Sequence, residues 1–216
     1  MDGQKTSYDI YVFDLDGTLL NTLEDLTLSV NAAMRFVGAK ERSQEEVRSF
    51  VGNGIRLLIS RALGKDADEK TFSDAFSYFK EYYGAHLCDH TAPYAGISEL
   101  LTRLKAAGKK TAVVSNKADF AVRELCRAYF GTLIDAAAGE NEAAGIRKKP
   151  APDALFTAIE RLGGGTAVYI GDSEVDIQTA RNAALPCISV CWGFKDEAFL
   201  LSHGAERLAH TPDEIF

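Results

Sequence analysis

Tyr8-Asp9-Ile10-Tyr11-Val12-Phe13-Asp14-Leu15-Asp16-Gly17-Thr18 decides how the rest of this chain is read. Its first six residues are mostly apolar and rich in β-branched and aromatic side chains, which reads as a buried strand. Gly17 then breaks the strand into a loop. Asp14 and Asp16 therefore stand at the carboxyl end of a strand, where open α/β sheets keep their ligands. Side chains two apart on a strand share a face, so both carboxylates can reach one ligand. Held close, two carboxylates repel, and either one keeps a proton or a cation joins them. Both outcomes suit phosphoryl transfer, with one Asp attacking phosphorus, the other shuttling a proton and Mg2+ screening the charge. A plain strand-to-turn junction is the alternative reading, because Asp and Gly are common turn residues. An EF-hand loop does not fit: the positions that would need a ligand and a closing Glu hold Thr18 and Asp25.

The composition narrows the field. The chain has 216 residues, 46% of them hydrophobic, which is ample for one domain or one domain with an insertion. With 24 Lys and Arg against 31 Asp and Glu, the net charge is −7, and no basic surface of the kind a nucleic-acid binder needs is visible. A small anionic ligand must then be met by a few local cations. Met1 to Thr6 are polar, and no stretch is long and apolar enough to span a bilayer, so a cytoplasmic protein with no membrane partner is expected. Cys88, Cys126, Cys187 and Cys191 lack C-x-x-C spacing and are expected to be reduced, mostly buried thiols, with a metal site as the alternative.

Downstream of Thr18 the period changes. Leu23, Leu26, Val30, Ala33 and Val37 recur at helical spacing, and Gly38 is a plausible stop. Ser43 and Glu46 form a capping-box pattern. Val51-Gly52-Asn53-Gly54 reads as a turn before a second apolar face at Ile55, Leu58, Ile59 and Ala62. Phe72, Phe76, Phe79 and Tyr83 stripe a third helix. No strand is expected between about residues 20 and 88, so an all-helical block interrupts an α/β chain. From Pro93 onward helices and strands alternate. Strands are expected at 110–115, 133–136, 167–170, 187–191 and 206–209, giving a doubly wound parallel sheet.

Three further strand ends are polar. Ser115-Asn116 offers a hydroxyl and backbone N–H groups to a phosphate oxygen, or simply caps the next helix. Arg147-Lys148-Lys149-Pro150 is the only dense basic run; one lysine aimed inward would neutralise a phosphate, whereas a solvated run is the alternative. Gly171-Asp172-Ser173-Glu174-Val175-Asp176 places two carboxylates one helical turn apart, as oxygen ligands for Mg2+ or as helix caps.

In this order the four strand ends resemble the motifs of the haloacid dehalogenase-like phosphohydrolases. Asp14 to Thr18 looks like the first motif, Val114-Ser115-Asn116 the second, Lys149-Pro150 the third and Gly171-Asp172 to Asp176 the fourth. The helical insertion is similar to that family's α-helical cap, which implies a core of residues 1–19 and 90–216 and a cap of 20–89. Val51 to Gly54, Ser115-Asn116-Lys117, Lys149-Pro150-Ala151-Pro152-Asp153 and Trp192-Gly193 look like the phosphoglycolate phosphatase group. Asn21-Thr22 and Ala184 depart from the usual pattern, and Gly139 to Lys148 matches nothing clearly.

The resemblance implies a Mg2+-dependent phosphatase acting on a small phosphorylated metabolite, with 2-phosphoglycolate as the expected substrate. Asp14 would be the nucleophile and Asp16 the acid–base. The metal would lie on Asp14, the backbone carbonyl of Asp16, Asp172 and Asp176. Gly17, Thr18, Ser115, Asn116 and Lys149 would hold the phosphate. Asn53, Gly54 and Arg56 are the expected specificity residues, with Arg56 meeting a carboxylate. Leu19 to Thr22 and Cys88 to Pro93 would be the hinges of a closing cap, in a monomer or homodimer. The alternatives are a sugar-phosphate mutase, a pyrophosphatase or nucleotidase, and a metal-binding interaction module.

Overall fold

The computed structural model describes residues 7–141 and 145–216. The reading of Met1 to Thr6, and residues 142–144 of the unmatched segment, lie outside them. Six parallel strands form the sheet, in the order β5-β4-β1-β6-β7-β8. They are β1 (Ile10–Phe13), β4 (Lys110–Ala118), β5 (Ala136–Glu140), β6 (Ala167–Gly171), β7 (Cys187–Val190) and β8 (Leu208–Ala209).

β1 is central and buried at every position. Its period-2 alternation sends Tyr11 and Phe13 to one face and Ile10 and Val12 to the other. The first face is covered by α5 (Ile97–Ala106) and α6 (Asp119–Phe130), through Leu100, Leu104, Val122 and Leu125. The second is covered by α7 (Asp153–Arg161) and α8 (Glu174–Asn182), through Leu155, Ala158 and Ala180. Each large side chain removed from water in this way contributes about 1.5–3 kcal/mol before entropy is counted.

Register brings the polar strand ends together. Phe13 pairs with Val113 on one side and Ile170 on the other. The next residues along the three strands are Asp14, Val114-Ser115 and Gly171-Asp172, so these side chains must meet at one edge.

Between Asn21 and Ala92 the chain makes four helices: α1 (Leu23–Phe36), α2 (Gln44–Phe50), α3 (Ile55–Leu63) and α4 (Glu69–His86). The Ser43–Glu46 capping box is present in both directions at the start of α2. Leu26, Leu58, Ile59, Phe79 and Tyr83 join the same apolar cluster as Phe13, so the insertion and the sheet share a core.

Several details correct the sequence reading. The block is not strand-free at its margins: β2 (Leu20–Asn21) pairs antiparallel with β3 (Ala92–Pro93) where the chain leaves and returns. Such two-residue strands carry no periodicity to read. β5 begins at Ala136, later than expected, because Gly131–Leu133 forms a 3-10 turn. β4 runs on to Ala118, past the expected end at Ser115. A short helix, α9 (Glu197–Ser202), was not expected; Asp196 caps it. Cys126 alone of the four free cysteines is buried, and Cys88 is exposed. Ala184, one of the departures from the family pattern, has a φ of 53°, a conformation that favours glycine.

Candidate active site

Asp14 follows β1 directly and lies in a buried knot of charge. One of its oxygens accepts the Leu15 N–H at 2.7 Å, and Oδ2 meets Lys149 Nζ at 2.8 Å. Lys149 also reaches Asp176 Oδ1 at 2.8 Å and Tyr169 Oη at 3.1 Å. The Lys149–Pro150 peptide is cis. Asp172 accepts Thr18 Oγ1 at 3.2 Å and the Phe194 N–H at 2.7 Å. Oxygens of Asp14, Asp172 and Asp176 come within 4.8 Å of one another.

One lysine against three carboxylates leaves this knot negative. Burial, opposed by Lys149 and reinforced by Asp176, lifts the Asp14 carboxyl to about 6. Burial, with repulsion from Asp176 and Asp14, pushes Asp172 well above the usual carboxylate range. Burial alone would lower Lys149, but Asp14 and Asp176 outweigh it and hold the ammonium charged. A buried all-oxygen donor set with surplus negative charge fits Mg2+. Asp176 is the least free of the three. Its Oδ1 serves Lys149 and Tyr169, and its Oδ2 accepts both Ser173 N–H and Ser173 Oγ.

Glycine makes the close approach possible at two points. A Cβ on Gly17, whose φ is 83°, would run into the Asp172 carboxylate, and one on Gly193 would strike Asp172 and the Gly17 carbonyl.

Asp16 stands apart from the knot. Thr22 Oγ1 donates to its Oδ1 at 2.8 Å, and Lys117 Nζ reaches its two oxygens at 2.8 and 3.0 Å. Lys117, near the end of β4, is buried and was not anticipated as a site residue. Its signal was a lone lysine continuing a buried strand run; its partner lies 101 residues away in sequence.

These groups open onto a partly open pocket. Its walls include Asp14, Asp16, Ser115, Asn116, Lys117 and Asp172 from the sheet side, and Leu26, Val51, Ile55, Leu58 and Tyr83 from the helices. Asn116 braces as well as lines: its amide donates to the carbonyls of Lys149 and Gly52 and accepts the Lys149 N–H. Gly17 and Thr18 lie behind the wall. Their N–H groups are taken by the Leu20 and Leu15 carbonyls, so they are not presented to a phosphate here. Gly54 lines the pocket, but Asn53 and Arg56 are not among its walls. The Arg56 guanidinium instead lies 5.1 Å and 5.3 Å from the ring centres of Phe72 and Phe76, which corrects the expectation that it faces the ligand.

The sequence profile of the haloacid dehalogenase-like hydrolases matches residues 11–190, which takes in every strand end just described. The chain belongs to this family. A phosphoglycolate phosphatase of Colwellia psychrerythraea is 30% identical over 96% of this chain and 95% of its own. A solved structure from Lactobacillus delbrueckii subsp. bulgaricus, named provisionally as a phosphoglycolate phosphatase, superposes with a TM-score of 0.91 at 35% identity, covering 97% of both chains. CbbY from Rhodobacter sphaeroides, solved in complex with phosphate, has a TM-score of 0.78 at 29% identity and covers 97% of this chain and 96% of its own. The protein is thus a phosphomonoester hydrolase of the haloacid dehalogenase-like family, within its phosphoglycolate phosphatase-like group. No helix among the described residues is long and apolar enough to cross a membrane.

Proposed function

We propose that this protein hydrolyses 2-phosphoglycolate, or a close small phosphomonoester, through a phosphorylated Asp14. The observation that carries the reading is the placement of Asp14: buried, paired with Lys149, facing Asp172 and opening onto the pocket. Asp14 attacks phosphorus and the alkoxide leaves. Asp16 delivers a proton to that oxygen, then takes one from the water that cleaves the acyl phosphate. Lys149 and Ser115 stabilise the phosphoryl oxygens. Asp14, Asp172 and the Asp16 backbone carbonyl would hold Mg2+, and Asp176, with both oxygens engaged, would orient Lys149 and add negative charge to the site. Bound there, Mg2+ would neutralise charge on the transferring phosphoryl group.

In this reading residues 1–19 and 90–216 are the core and 20–89 a cap that closes over the substrate and excludes water. The test is phosphate release with Mg2+ across a panel of phosphomonoesters, with Asp14→Asn as the blank. A preference for 2-phosphoglycolate of about tenfold or more, roughly 1.4 kcal/mol in the transition state, supports the named substrate. Even, weak turnover across the panel removes that substrate and leaves the phosphatase. A bisphosphate product would replace hydrolysis by a mutase.

A further inference from the structure

A small carboxylated phosphoester needs a second anion site, opposite the phosphate and inside the closed pocket. Arg56 does not supply it, because its guanidinium lies on Phe72 and Phe76. Two other lysines are in reach. Lys195 lines the pocket, but its ammonium lies 5.1 Å from the centre of the Phe199 ring. Lys117 is inside, with its side chain only 3% exposed. Tyr83 of α4 stands beside it, with Lys117 Nζ 4.7 Å from the centre of its ring. The Tyr83 hydroxyl is buried, lies near Lys117 and meets no hydrogen-bond acceptor among the described residues. A buried hydroxyl without a partner is costly and marks a place where a polar group belongs.

We infer that Lys117 and Tyr83 form the subsite for the carboxylate of the leaving group, and that Lys117 exchanges Asp16 for that carboxylate when substrate enters. The inference rests on the phosphatase reading and sharpens it. In the structure both Asp16 oxygens are occupied by Lys117, and Oδ1 also by Thr22. Neither is free to turn toward a leaving oxygen. An incoming carboxylate supplies what Lys117 needs, namely an anion, in a pocket whose helical side is lined by Leu26, Val51, Ile55 and Leu58. It also gives Tyr83 Oη an acceptor. Asp16 is then released toward the ester oxygen. A neutral alcohol leaving group offers neither contact, so it leaves Asp16 held. Selectivity and readiness for chemistry thus come from one ion-pair exchange, with one partner of the subsite on the sheet and the other on the helical insertion.

Two paired measurements test this, each on the full chain with Mg2+. The first compares kcat/KM for 2-phosphoglycolate and ethyl phosphate, which has the same two carbons but no carboxylate. The second compares binding of the unreactive analogues 3-phosphonopropionate and propylphosphonate by calorimetry, which does not depend on turnover. Wild-type protein should favour the carboxylated member of each pair by about tenfold or more. Lys117→Met should bring both ratios down to within about threefold, with a raised KM for 2-phosphoglycolate. Tyr83→Phe, which keeps the ring and the packing, should lower both ratios by about threefold or more. Lys117→Arg should recover part of the binding ratio, because the charge returns. A merely structural Lys117 would lower both members of each pair together and leave the ratios unchanged, which overturns the subsite. Retention of both ratios in Tyr83→Phe as well as Lys117→Met would place the carboxylate elsewhere. If the wild type turns over neither ester yet the binding ratio behaves as described, the subsite stands and the phosphatase reading falls. Loss of the wild-type binding preference itself overturns the inference even where phosphate is released.

Discussion

On the sheet side of the pocket, each carboxylate oxygen of Asp14, Asp16, Asp172 and Asp176 has a partner within 3.2 Å. Across from them, Leu26, Val51, Ile55 and Leu58 present only apolar side chains, and Tyr83 Oη meets no hydrogen-bond acceptor among the described residues. The first wall is over-determined: strand register, glycine contacts and a shared lysine fix each charge. The second is shaped by packing, which tolerates hydrophobic exchange if volume is kept. In the proposed reading, reaction type belongs to the sheet, and choice of leaving group to the helices together with Lys117.

The contrast can be broken most forcefully at Asp14. Asp14→Asn should reduce phosphate release by on the order of 10⁴-fold or more while the far-UV spectrum is unchanged. Substantial turnover in that variant would move the nucleophile elsewhere. Next in size, Lys149→Met should lower kcat by about 10²–10³-fold and destabilise the fold by about 3–5 kcal/mol, because it strands buried carboxylates. Urea unfolding reads the second part, and an unperturbed midpoint would mean the knot is less dry than its burial implies.

A smaller effect concerns pH. Asp14 has its carboxyl raised from 3.8 to about 6, chiefly by burial. A raised carboxyl opposes folding once charged, so the penalty is present above pH 6 and fades as pH falls toward 3.8. In metal-free protein, Asp14→Asn should raise Tm by several degrees at about pH 7.5 and by almost nothing near pH 4. Excess Mg2+ should narrow that difference at the higher pH. A pH-independent gain would assign it to packing. The smallest effect sharpens the helical side: Arg56→Ala should leave KM for 2-phosphoglycolate within about twofold and cost only about 0.5–1 kcal/mol of stability, the worth of an exposed contact between a cation and aromatic rings. A large rise in KM would show that Arg56 leaves its rings when substrate binds.

The sheet wall was legible in the sequence because it is local. Asp14 and Asp16, Ser115 and Asp172 each announce themselves as a polar residue at the end of an apolar run, parallel register does the rest, and Lys149 stands out as part of a basic run. Of the lysines in that basic run, Lys149 is the one that is buried and paired with Asp14 and Asp176. The helical wall was not legible. Helical period places Leu58 and Tyr83 on inward faces without saying what they face. Arg56 could be read as an anion contact or as a partner for the aromatic stripe, and only three-dimensional proximity decides. Lys117 was hidden for the same reason, since a lysine after a serine and an asparagine looks like the start of an exposed helix. Asp25, which the motif reading passed over, proves to be buried and to bind the N–H groups of His90 and Thr91 and the hydroxyl of Thr91.

That contact, with the β2–β3 pairing, has a consequence for descent. The chain departs at Leu20–Asn21 and comes back at Ala92–Pro93, two segments hydrogen-bonded to each other and so about 4.8 Å apart. The points of entry and exit are a single attachment. A different helical block, spliced between the same two short strands, would meet the core without re-registering any strand of the six-stranded sheet. The catalytic edge can be inherited unchanged while the covering piece is exchanged, so a lineage built on this plan can acquire a new substrate without reinventing its chemistry.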